Sequence, residues 1–120
     1  IYYRQARKEH GVRKKIEGIL ERNDRVLVID DLITTGESVI ETAEVIRDQG
    51  GVVNELVVLL DREQGGQQRL RSFRIEPHVL FKISDAMTWL HKVGLIEDKI
   101  YETLIKYIEE ESQTAAVSSS

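Results

Sequence analysis

The sequence predicts an α/β protein, a parallel sheet flanked by helices. Three observations predict it. The continuous apolar run at residues 26–29, the segment 52–60 with its apolar core at 56–60, and the segment 78–83 read as strands. Segments with helical apolar spacing lie between and after them, so consecutive strands join through right-handed crossovers. Polar residues, Asp30 and Asp31 after the first run and Asp61 and Arg62 after the second, stand at strand carboxyl ends, where such sheets bind ligands.

Taken in order, the first strand, Val26 to Ile29, reads as buried on both faces and is ended by the acidic pair. From Gly36 to Gln49 the apolar residues Val39, Ala43 and Ile46 make a helical stripe that Gly50 and Gly51 stop. A second strand covers 52–60, and a polar, glycine-bearing loop then leads into a short helix around 67–73. Pro77 precedes a third strand at 78–83. Ser84 is placed to cap a helix over 85–92 that Gly94 ends. Met87, Trp89 and Leu90 in that helix read as core or interface packing. A last amphipathic helix spans 97–111 with Ile100, Leu104 and Ile108 on one stripe. Its acidic end, Glu109 to Glu111, opposes the helix dipole and predicts fraying. Residues 112–120, small and polar, read as a disordered tail.

Composition narrows the class. A chain of 120 residues with 41% hydrophobic and 32% charged residues is one small soluble domain. No apolar run approaches the roughly 18 residues of a membrane span, so no membrane association is expected. The absence of Cys excludes disulfides, thiol nucleophiles and thiolate metal sites, and fits a cytoplasmic setting. His78 and His91 have no partner at metal-ligand spacing, so no protein-built metal site is expected. The chain starts at Ile1 rather than Met, as a piece of a longer protein would.

The net charge of −4 conceals an asymmetry. Residues 1–25 carry eight Lys/Arg against four Asp/Glu, while the remainder carries nine against seventeen. A basic arm on an acidic body suits an anionic ligand, although a solvated polar loop would read the same way. Tyr2 and Tyr3 are the arm's only aromatics, which is not the spaced stacking platform of a nucleic-acid binder.

Residues 26–38 read Val-Leu-Val-Ile-Asp-Asp-Leu-Ile-Thr-Thr-Gly-Glu-Ser. A buried strand delivers two carboxylates, then a hydroxyl-rich turn, then a helix N-terminus. Backbone amides and the hydroxyls of Thr34 and Thr35 suit an anion. The carboxylates would repel that anion, so they must face another part of the ligand. Two acceptor-only groups suit a vicinal diol. A phosphate beside a diol is a ribose 5-phosphate. The plain alternative is a strand-to-helix turn whose hydroxyls merely cap the helix.

This stretch resembles the ribosyl-phosphate signature of the type I phosphoribosyltransferases. Two further segments narrow the resemblance to orotate phosphoribosyltransferases. Arg4-Gln5-Ala6-Arg7-Lys8-Glu9-His10-Gly11 is similar to their mobile catalytic loop, and Leu60-Asp61-Arg62-Glu63-Gln64-Gly65-Gly66 to the segment that supplies their orotate-binding arginine. The three lie in the family's order and cover residues 1 to about 111, which would be the carboxyl-terminal portion of the family's domain.

The resemblance implies a role for each matching residue. Arg4 would contact the diphosphate of 5-phosphoribosyl 1-diphosphate. Lys8, with His10, would reach the neighbouring subunit's site, which implies a homodimer with a shared loop. Asp30, Asp31, Leu32, Ile33, Thr34, Thr35, Gly36, Glu37 and Ser38 would hold the ribose and its 5-phosphate. Thr34 would also touch orotate, and Arg62 would pair with it. Lys8, Asp30 and Asp31 would be the catalytic groups, and Mg²⁺ would arrive bound mainly to the substrate's diphosphate. Gln5 departs from the family, which often has a lysine there; Arg7 restores the charge without the geometry.

The implied reaction moves a ribosyl 5-phosphate from diphosphate to orotate, giving orotidine 5'-monophosphate. Cations from a closing loop would meet the leaving diphosphate, and closure would keep water from the ribosyl centre. The planar donors of Arg62 match a carboxylate, though a salt bridge to Asp61 or Glu63 is its simpler fate. The alternative function is a non-catalytic phosphoribosyl-binding module, regulatory or degenerate, which Gln5 and the chain's length favour.

Overall fold

A computed structural model describes residues 2–8 and 11–118, with side chains over 18–115. The elements are β1 (Tyr2–Lys8), β2 (Gly11–Glu17), β3 (Arg25–Ile33), α1 (Glu37–Asp48), β4 (Val52–Asp61), α2 (Gly66–Ser72), β5 (Glu76–Lys82), α3 (Ile83–Lys92) and α4 (Asp98–Ser118). Strands β3, β4 and β5 form a parallel sheet in chain order, and β1 pairs antiparallel with β2. The predicted α/β class with a parallel sheet and flanking helices is the observed one.

The sheet and helices assemble for local reasons. In α1 the spacing of Val39, Ile40, Ala43 and Ile46 buries one stripe. A Schellman motif ends the helix: Gly50 N–H donates to Arg47 O (2.9 Å) and Gly51 N–H to Ile46 O (3.0 Å), with Gly50 at φ +90°. The stripe packs with Ile33, Val53, Leu56, Val58, Leu70 and Ile75 into one core. Fully burying a side chain such as Leu56 contributes about 1.5–3 kcal/mol.

Both helices of the crossovers lie on the same face. When strand order follows chain order, crossovers of one hand must stack α1 and α2 on a single side. The opposite face is therefore open, and Leu27, Ile29, Leu59 and Leu80 are exposed on it, Ile29 at 74%. This corrects the expectation that residues 26–29 are buried on both faces: Val26 and Val28 pack on the core, while Leu27 and Ile29 do not.

Other boundaries differ for identifiable reasons. The strand β3 continues past Ile29 through Asp30 and Asp31 to Ile33, because its pairing with β4 runs on to the Ile33–Asp61 partners. Pro77 lies inside β5 rather than before it, at an outer strand of this sheet, where a missing ladder donor is tolerated. Ser84 does not cap α3, whose N-cap is Lys82; the Glu63 carboxylate accepts the Ser84 N–H instead (2.9 Å). Trp89 is 60% exposed, and α3 has no buried residue, so its apolar side chains are not core. Helix α3 is joined to α4 by a His91–Asp98 hydrogen bond (2.5 Å), His91–Tyr101 ring stacking and a Thr88–Tyr101 hydrogen bond.

The expected tail is helical as far as Ser118. No Gly or Pro interrupts residues 112–118, and Ala115 packs against Gly65, where a methyl group would lie 2.8 Å from its Cβ. Helix α4 thus does not end at Glu111. The basic arm is likewise a hairpin, with Arg4 opposite Lys15, Gln5 opposite Lys14 and Lys8 opposite Gly11. Its dense charge masked the alternation that a strand normally displays. His10 lies outside the described residues. No helix among the described residues is long and apolar enough to cross a membrane.

Candidate functional site

The end of β3 and the start of α1 enclose a cavity of about 390 Å³. Asp30, residues 32–39 and Glu41 line it. Eight of the nine expected ribosyl-phosphate residues therefore share one pocket. Asp31 is the exception: it is exposed, and its N–H donates to Asp30 Oδ1 at 2.8 Å. Ile33 lines the pocket although its side chain belongs to the core.

The turn has the backbone features that anion sites use. Gly36 stands at φ +81°, a left-handed conformation that glycine adopts without strain, and α1 begins directly after it. Among the described residues no side chain accepts from the first-turn amides of α1, which open toward the pocket. Thr34 is partly exposed and Thr35 exposed, so both hydroxyls are reachable.

The acid at the other end behaves differently. Asp30 is half-buried, and its carboxyl is pushed above its ordinary value of 3.8, first by burial and further by the Asp31 carboxyl beside it. The hydrogen bond from the Asp31 N–H partly opposes this rise. A desolvated acceptor of this kind gains most from a donor such as a sugar hydroxyl.

Arg62 adjoins the pocket through its backbone: its N–H donates to Ile33 O at 3.0 Å. Its exposed side chain lines neither this cavity nor its larger neighbour. It pairs with neither adjacent acid. Asp61 accepts from Glu63 N–H and Gln67 Nε2, both at 2.8 Å, and Glu63 accepts from Ser84 N–H. A second cavity of about 640 Å³ lies between α2 and α4 and shares Thr35 with the first. It contains Arg69 but neither acid of the pair.

The structure brings residues 30–38 and the Arg62 backbone together. The side chains of Arg4 and Lys8 fall outside the described ones, so their place relative to the pocket is not defined. Sequence reasoning placed Asp61 at the strand end but missed that it, with Glu63, Gly66 and Gln67, orders the turn bearing Arg62. The signal for Asp61 was a lone acid closing an apolar strand. Among the described residues no group of three or more His, Asp or Glu side chains could hold a metal ion.

No protein-family profile matches the chain. Curated relatives do. The chain is 41% identical over 96 residues to orotate phosphoribosyltransferase of Cenarchaeum symbiosum, covering 80% of this chain and 48% of that protein. It is 33% identical over 106 residues to uridine 5'-monophosphate synthase of Caenorhabditis elegans, covering 88% of this chain and 21% of that one. The crystal structure of orotate phosphoribosyltransferase from Aeropyrum pernix superposes with a TM-score of 0.65 at 33% identity, over 80% of this chain and 52% of that chain. The chain thus spans about half the length of the orotate phosphoribosyltransferases it matches and about a fifth of the synthase. Sequence and fold agree over most of its residues, and the chain belongs to the orotate phosphoribosyltransferase family, representing one part of its members.

Proposed function

We propose that the protein to which this chain belongs transfers the ribosyl 5-phosphate of 5-phosphoribosyl 1-diphosphate to orotate in pyrimidine biosynthesis. One observation carries the reading: a single pocket joins the Asp30 carboxylate, with Asp31 next to it in the chain, to an uncapped helix start, and the backbone of Arg62 is bonded to the same strand end. The uncapped turn at 34–38 binds the 5-phosphate. Asp30 and Asp31 accept from the ribose hydroxyls. Arg62 pairs with the carboxylate that distinguishes orotate from uracil.

In the reaction orotate gives up its N1 proton, to the leaving diphosphate or to solvent, and N1 bonds to ribose C1 as the bond from C1 to the diphosphate oxygen breaks. The electron pair leaves with the diphosphate. Magnesium enters as part of the substrate, complexed to that diphosphate, and neutralises its charge. Arg4 and Lys8 on the hairpin, together with His10, supply the remaining positive charge, reaching a neighbouring subunit in a homodimer. Mixing inactive Lys8→Ala and inactive Asp30→Asn/Asp31→Asn proteins then restores activity by subunit exchange.

The deciding assay follows orotidine 5'-monophosphate formation by the full-length protein from both substrates and Mg²⁺. Turnover with orotate and not with uracil supports the reading, and turnover with neither overturns it. Gln5 favours a second reading, a phosphoribosyl-binding module without turnover. That reading is identified by binding of 5-phosphoribosyl 1-diphosphate in the absence of any product.

A further inference from the structure

The turn after β4 is locked to the turn after β3. Asp61, 3% exposed, closes β4 and commits both carboxylate oxygens, Oδ1 to Glu63 N–H and Oδ2 to Gln67 Nε2. Arg71 Nη2 donates to Gln67 Oε1 at 3.3 Å, so the donor end of that amide faces Asp61. Glu63 takes φ +59°, a left-handed conformation that Asp61 holds through the Glu63 N–H. Across the gap the contact is backbone on backbone. A methyl group on Gly66 would lie 2.7 Å from Thr34 O, and one on Gly36 would lie 3.2 Å from Gly66 O. Neither atom met is the end of a flexible side chain, so any bulk at Gly66 must move the 34–36 turn.

We propose that Asp61 and Gly66 are positioning residues that fix the separation between the phosphate-binding turn at 34–38 and Arg62. This rests on the ligand reading above and deepens it. A ligand that presents a phosphate and a base carboxylate at the matching distance gains from both contacts at once. A ligand with only one of them is indifferent to the spacing. The advantage of joining the two groups is an effective concentration, which is lost when the sites move out of register.

The test uses the full-length protein and three ligands measured by calorimetry: ribose 5-phosphate, orotate, and orotidine 5'-monophosphate, which joins them. In Gly66→Ala, binding of orotidine 5'-monophosphate falls about tenfold or more, while the two single-site ligands change by less than about threefold. Asp61→Asn keeps the side chain's shape but turns one acceptor into a donor; it reproduces the pattern should Gly66→Ala fail to fold. Gly94→Ala is the control for strain alone, because Gly94 stands at φ +82° with nothing within 4 Å of an added methyl. It leaves all three affinities in their wild-type ratio. Equal weakening of all three ligands in Gly66→Ala and Asp61→Asn, or no weakening, overturns the positioning role. Failure of the wild-type protein to bind any of the three instead overturns the ligand reading, and the positioning role with it.

Discussion

The N–H of Arg62 donates to the carbonyl of Ile33 at 3.0 Å, so the residue proposed to read the base is fastened to the strand that carries the acids. Its side chain takes no part in that bond and, with Asp61 and Glu63 otherwise engaged, meets no competing carboxylate from them.

Arg62→Ala therefore removes selectivity more than it disturbs structure. One charge-assisted bidentate pair is worth about 1.5–3 kcal/mol, so preference for orotate over uracil falls roughly 10- to 150-fold. Arg62→Lys recovers part of it, since a point charge cannot reproduce the planar fork. The measurement is kcat/KM for both bases; an unchanged ratio removes Arg62 from the base site.

Asp30→Asn and Asp31→Asn each weaken binding of 5-phosphoribosyl 1-diphosphate, because an amide is a poorer acceptor than a carboxylate. The expected loss is about 1–2 kcal/mol apiece, or roughly 5- to 30-fold. Calorimetry giving wild-type affinity for the double variant would rule out the diol contact.

Asp30 also imposes a pH dependence on stability. Burial raises its folded-state value, so the folded protein holds this proton more tightly than the unfolded chain. Its stabilising contribution is full below the ordinary value of 3.8 and is lost as pH rises through the raised one. Asp30→Asn abolishes that loss and is the more stable protein at neutral pH. Urea midpoints measured from about pH 3 to pH 7 check this. Parallel curves for the two proteins would contradict it.

Glu63 caps α3 from a distant turn. Glu63→Ala leaves the Ser84 N–H without its acceptor and costs about 1 kcal/mol, while Glu63→Gln keeps the hydrogen bond and loses only the charge. Faster amide exchange at Ser84 in the alanine variant alone is the expected signature. Equal exchange in all three proteins would dismiss the cap.

The fold was legible where periodicity was strong. The stripe of Val39, Ala43 and Ile46 and the run from Leu56 to Leu60 located α1 and β4 to within a residue or so, because apolar spacing is a local property. The cavity around residues 30–38 was legible for the same reason, since its parts are contiguous in sequence. The clamp around Asp61 was not. Its partners are chosen by tertiary approach, Glu63 reaching Ser84 and Gly66 reaching Thr34, and no spacing rule encodes either. The core reading of Trp89 failed for a related reason: an apolar side chain is buried only if something covers it, and α3 packs mainly on its neighbours α4 and β5, leaving Trp89 exposed.

The open face of the sheet has a calorimetric consequence. Heat capacity and denaturant sensitivity report the apolar area that unfolding newly exposes to water. Leu27, Ile29, Leu59 and Leu80 already meet water in the folded 120-residue chain and add little to that change. A chain of this length ordinarily shows a heat-capacity increment of roughly 1.4–1.8 kcal/mol/K. The 120 residues alone unfold with a smaller increment and a correspondingly shallow urea slope. Both rise toward ordinary values in any assembly that lays a second apolar layer across those four side chains.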